Sequence, residues 1–125
     1  MSFATPANKA LDLIHKAMTG PMTLMKRAMD EAADGKSVLV VVTGYTERVA
    51  VATLAANAGN VSYHDVFAGD MTSAQHSDAH DGLTSWRDKV ENAGGRLTIQ
   101  VYNFSVDPEE ARKQHGCGRV YHLKG

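Results

Sequence analysis

The histidines and the lone cysteine have the widest chemical reach in this 125-residue chain, and their spacing sets what they could do. His76 and His80 stand four apart, so on a helix they would share one face, as metal ligands or a proton-transfer pair do. Asp78 and Asp81 lie beside them, and His64 with Asp65 lies a short way upstream. Imidazole titrates near neutrality, which makes His64, His76 and His80 candidate general bases of a small enzyme, with Tyr45 and Glu47 as helpers. His115, Cys117 and His122 form a second group. The two groups together hold enough nitrogen and sulfur for a metal, yet neither has paired Cys-x-x-Cys or His-Glu-x-x-His spacing. A polar surface loop and a C-terminal tail account for them as well, and no metal is assigned. Cys117 has no base-orienting partner in sequence, which favours a structural thiol over a nucleophile.

A different chemistry is on offer at Thr43-Gly44-Tyr45-Thr46. This corner follows Ser37-Val38-Leu39-Val40-Val41-Val42, whose apolar, β-branched run reads as a short strand buried on both faces. A glycine turn and a helix start come next. The corner thus lies at the carboxyl end of a strand, where open α/β sheets bind ligands and helix-start amides suit an anion. Thr43 and Thr46 add hydroxyls, and Arg48 adds a charge. Asn103 and Ser105 would reach the same edge from a neighbouring strand end. Thr43, Gly44, Tyr45, Thr46, Arg48, Asn103 and Ser105 are therefore the expected ligand-binding residues. The plainer alternative is a βα turn capped by Thr46. Gly35-Lys36-Ser37 is not a phosphate loop, because Asp30 stands where the pattern needs glycine and the tripeptide precedes a strand instead of opening a helix.

The elements that would position these residues follow from periodicity and punctuation. Thr5-Pro6 reads as a helix start, with Leu11, Ile14, His15 and Met18 at helical spacing, and Gly20-Pro21 as its end. A second helix spans about 22–33 on an apolar stripe of Leu24, Met25, Ala28, Met29 and Ala32, and stops at Asp34-Gly35. A third helix covers about 46–58. Residues 61–67 alternate and read as a strand or an extended connection, and 68–82 as an acidic loop with at most a helical turn. A helix at 83–93 carries Trp86 and Val90 inward and ends at Gly94-Gly95. Residues 96–104 alternate as a second strand. Asp107-Pro108-Glu109-Glu110 opens a last helix, and 119–123 forms a last strand. Strands alternating with helices indicate an α/β fold: one three-layer Rossmann-like or RecA-like domain over 1–125, with a small, mostly parallel sheet of three or four strands.

From about residue 19 to 118 the order of features resembles a trimmed RecA-type core, as in hexameric replicative helicases. Thr19-Gly20-Pro21-Met22-Thr23-Leu24-Met25 sits where that family's phosphate loop sits, without its central Gly-Lys-Thr. Residues 32–42 match the strand after the loop helix. Tyr45 stands near the family's catalytic carboxylate, with Glu47 displaced from it, and 65–86 resembles its acidic connection and next helix. The resemblance implies a nucleotide-like ligand. Without the loop lysine it does not imply ATP hydrolysis, and the family's later strands and arginine finger have no room in this length. Small derivatives of this kind occur in phages and mobile elements.

Composition narrows the function classes. A hydrophobic content of 43% and charged content of 22% are those of a globular protein. A net charge of -1 supplies no general attraction to nucleic acid or acidic membranes, although Tyr121 and His122 stand among basic residues near the end and could touch phosphates. One cysteine excludes an internal disulfide and fits a reducing compartment. There is no basic-then-apolar leader and no apolar run long enough to span a bilayer, so the expectation is a cytoplasmic protein with no membrane partner. Two helices ahead of the first strand carry more apolar surface than a small sheet covers, which points to a homo-oligomer. The expected function is non-hydrolysing binding of a nucleotide-like ligand or a protein partner at the carboxyl edge of the sheet. The alternatives are a small enzyme using histidine as base or metal ligand, and an assembly subunit.

Overall fold

The computed structural model describes the backbone from residue 6 and side chains from residue 20 onward. Its elements are α1 (Pro6–Ala33), β1 (Ser37–Thr43), α2 (Glu47–Ala58), α3 (Tyr63–Ala68), α4 (Ser73–Asn92), β2 (Arg96–Tyr102), α5 (Pro108–Gln114) and β3 (Arg119–Lys124). The three strands form one all-parallel sheet in the order β2-β1-β3. This is the small α/β fold expected from the alternation of strands and helices.

β1 is central because it is apolar on both faces. Val38 to Val42 are all fully buried, and each such side chain contributes roughly 1.5–3 kcal/mol on leaving water. Val38, Val40 and Val42 pack in one cluster with Met25, Ala28, Met29 and Ala32 of α1, Ala50 of α2 and Val90 of α4. Leu39 and Val41 face the other way, toward Ala111 of α5 and Cys117. Helices therefore cover both faces unequally: three long helices on one side, a single seven-residue helix on the other.

Four readings of the sequence are corrected. The Gly20-Pro21 stop is absent, and α1 runs through Pro21 to Ala33. Proline in a helix interior forfeits one backbone hydrogen bond and costs about 3 kcal/mol. Burial of Pro21 itself and of Met25, Ala28 and Met29 beyond it offsets that cost. The Thr19–Met25 stretch compared with a phosphate loop is consequently helical. Thr5 lies outside the described residues, as do the side chains of Leu11, Ile14, His15 and Met18. Residues 61–67 hold no strand but α3, whose N-cap Ser62 accepts a hydrogen bond from the Asp65 amide and which ends at Gly69 in the left-handed region. Finally, 68–82 is no loop. α4 begins at Ser73, where Thr72 and Gln75 form a reciprocal capping box. Thr72-Ser73-Ala74-Gln75 is a signal that an acidic, apolar-poor composition hides.

The α2–α4 contact is close because two glycines allow it. A Cβ on Gly82 would lie 2.0 Å from the Ala58 carbonyl oxygen, and one on Gly59 would lie 2.6 Å from the Ala79 Cα. Trp86 anchors the other end of α4 by donating its indole N–H to the Met29 carbonyl at 2.9 Å. No described helix is long and apolar enough to cross a membrane.

Candidate functional site at the carboxyl edge of the sheet

Parallel strands end together, so β1, β2 and β3 bring Thr43, Tyr102 and Lys124 to one edge in register. The loops that follow β1 and β2 rise from this edge and enclose a cleft of about 950 Å³. Its walls are Thr43, Gly44, Tyr45 and Thr46 at and after the end of β1, residues 101–106 at and after the end of β2, and His122, Lys124 and Gly125 at the end of β3. Six expected ligand residues (Thr43, Gly44, Tyr45, Thr46, Asn103 and Ser105) thus share one cavity.

Gly44 permits the shape of this corner. Its φ is 75°, in the left-handed region, and a Cβ there would stand 3.0–3.2 Å from the backbone of Gly125. The Gly125 amide donates to the Thr43 carbonyl at 2.8 Å, which ties the end of β3 to the β1 corner. Thr46 is the N-cap of α2, but its side chain makes no capping hydrogen bond. Its hydroxyl is therefore not spent on the helix amides.

The cleft also contains a pair that the sequence reading did not single out. Thr43 Oγ1 lies 2.7 Å from His122 Nε2. Burial, and then the charge of Lys124, hold His122 below the ordinary histidine pKa, so the imidazole is neutral around pH 7. Period-two alternation could have found it. Val120, His122 and Lys124 share one face of β3, the face that carries Leu39, Val41 and Thr43 on β1. Sequence proximity had grouped His122 with His115 and Cys117, yet those two belong to the turn that enters β3 at the opposite end of the sheet. There Cys117 is buried, with the Arg96 guanidinium 3.5 Å from its sulfur, consistent with a structural thiol.

Aromatic rings line the cleft on the β2 side. Tyr102 and Phe104 meet edge to face at 5.5 Å, and Phe104 remains 63% exposed. The cationic side chain of the wall is Lys124, and no Asp or Glu side chain among the described residues lines it. Rings, hydroxyls, one amide and one ammonium thus converge with no acidic side chain among them.

The remaining expected residues are elsewhere. Arg48 is absent from the cleft. Its guanidinium donates to the Phe67 carbonyl at 2.6 Å and lies 5.5 Å from the Phe67 ring centre, which fastens α3 to α2. Tyr63 stacks on Phe67 with the ring centres 5.8 Å apart. His64 is exposed on α3, and His76 and His80 are exposed, four residues apart, on the first half of α4. None of the three lines the cleft. Among the described residues, no three His, Cys, Asp or Glu side chains converge as metal ligands.

Fold and cleft together define a class: a small all-parallel α/β protein with a ligand-sized cavity at the carboxyl edge of its sheet. No protein-family model, curated protein or solved structure matches the chain.

Proposed function

We propose that this protein binds, without hydrolysing, a small anionic ligand with an aromatic ring, a nucleotide-like molecule, in the carboxyl-edge cleft. The observation that carries the proposal is the convergence of Tyr102 and Phe104 with Thr43, Thr46, Asn103, Ser105 and Lys124 around one cavity that no Asp or Glu side chain lines. The rings offer stacking surface for a planar base. Lys124 and the hydroxyls at the start of α2 suit a phosphate.

Calorimetric titration with a panel of nucleoside mono-, di- and triphosphates at low salt tests this reading. The expected result is saturable binding by at least one of them, weakened at least about tenfold by Lys124→Ala, in line with loss of a charge-assisted contact. No heat from any of them at millimolar concentration would remove the proposal.

An enzymatic reading of the same cleft moves the base from His64, His76 and His80 to His122, because His122 alone is both neutral and hydrogen-bonded to a hydroxyl there. No Asp or Glu lines the cavity to orient the imidazole, so binding is the reading preferred.

A further inference from the structure

We propose that two copies of this chain pair through the free edge of β2, antiparallel, about a two-fold axis passing between the two Ile99 residues. β2 is an edge strand, and among the described residues nothing pairs with its outer side. The Arg96 amide donates inward to the Lys36 carbonyl at 3.0 Å. By alternation, Leu97, Ile99 and Val101 present their N–H and C=O groups outward. Within Arg96–Tyr102 there is no proline, and its one charge is Arg96 at the very start.

Such an edge is a template for pairing unless it is guarded. The other edge strand is guarded: β3 carries Arg119 and Lys124 at its ends, and Arg119 is held by Glu31 of α1 at 2.9 and 3.2 Å. β2 has the opposite character. Val101 is 40% exposed and its neighbour Val51 on α2 is 51% exposed. Two shallow grooves continue along the same side and share Ile99, one past Glu47 and Val51, the other past Leu54 and Arg87.

The occupant is a second copy because the edge is complementary to itself. With Ile99 on Ile99, Leu97 falls opposite Val101, Thr98 opposite Gln100, and Arg96 opposite Tyr102. Apolar residues meet apolar residues on the helix-covered face, and no like charges face each other within the strand. Beyond the strand, Phe104 falls opposite Gly94, where a side chain would meet nothing within 4 Å. The two-fold also sets the Glu47 end of one groove against the Arg87 end of the other. Glu91 and Arg96 line that second groove as well, but the Arg96 guanidinium is engaged by Ser37 Oγ, the His115 carbonyl and Cys117 Sγ, so Arg87 is the cation that must answer Glu47. The product is a continuous six-stranded sheet with the two clefts at opposite ends, Val101 and Phe104 belonging both to the paired edge and to a cleft wall.

Sedimentation of the whole chain over a range of concentrations tests the pairing. Wild-type protein is expected to be dimeric at about 100 μM. Val101→Pro deletes one outward amide at an exposed position and should weaken the dimer at least about tenfold while circular dichroism stays unchanged. Glu47→Arg should also weaken it, and Arg87→Glu in the same chain should restore it, which a loss of folding could not mimic. A monomer at every concentration overturns the proposal. So does a dimer that Val101→Pro, correctly folded, leaves intact, or one indifferent to the charge reversal. If Val101→Pro fails to fold, reversal and rescue decide alone.

Discussion

His122 illustrates how a residue's environment sets its state. It lies between Thr43 and Lys124 at the end of β3, where burial and a like charge both favour neutral imidazole. Its folded pKa lies below its unfolded value, so below about pH 6.5 the unfolded chain binds the extra proton more readily. Stability from this group is fully present above that pH and falls as the pH drops toward the folded pKa. Thermal unfolding between pH 7.5 and 5 should show this loss, and His122→Gln should flatten that part of the slope. Glu31 acts in a lower window. Burial alone would raise its carboxyl pKa, but hydrogen bonds from Arg119 and Tyr121 outweigh burial and hold it below the ordinary value. Its contribution is present above the unfolded pKa and lost as pH falls through the folded one. Gly44→Ala is a different residue-scale test, since it forces a side chain into the left-handed region and against Gly125. A loss of about 1–2 kcal/mol is expected from the backbone conformation alone, read as a lower denaturation midpoint, together with weakened ligand binding.

Among the elements, α4 shows most clearly how short-range signals and packing combine. Its length depends on the Thr72–Gln75 capping box, because its first half buries only Ala79. Thr72→Ala should therefore cost about 1 kcal/mol, and hydrogen exchange should show fraying confined to the first turns of α4. Gly82→Ala tests the crossing with α2 instead. The added methyl meets the Ala58 carbonyl at 2.0 Å, too near to be absorbed without moving a helix. A loss of about 1–3 kcal/mol is expected, as for other overpacked contacts. Chemical denaturation measures it, and unchanged stability would mean that the helices are less closely packed than the structure shows.

For the whole molecule, the consequential feature is the imbalance between its edges and faces. Three strands leave two of them as edges, and only β3 is guarded by charge. If β2 pairs with a second copy, the melting temperature should rise with protein concentration, because association stabilises only the folded chain. Val101→Pro should remove that dependence. The apolar surface expected from the residues ahead of β1 can be followed in the fold from residue 20 onward. Met25 and Met29 are consumed by the chain's own core, and among the described residues the large exposed apolar ones are Val51, Phe67, Val101 and Phe104.

The sequence by itself determined what local chemistry determines. An unbroken apolar run, β-branched at all but Leu39, makes β1 a strand buried on both faces, Asp107-Pro108 starts α5, and alternation marks β2. It also located most of the cleft, because Thr43 to Thr46, Asn103 and Ser105 follow the carboxyl ends of strands, and parallel strands end together. Tertiary structure decided what depends on distant neighbours. Pro21 stays inside a helix because it and Met25, Ala28 and Met29 beyond it are buried. Arg48 turns away from the cleft because Phe67 offers it a carbonyl and a ring. His122 joins Thr43, although 79 positions separate them, because β3 pairs with β1 in parallel. No spacing along the chain encodes that pairing. It arises when β1, apolar on both faces, takes the centre of the sheet and leaves β2 and β3 at its sides.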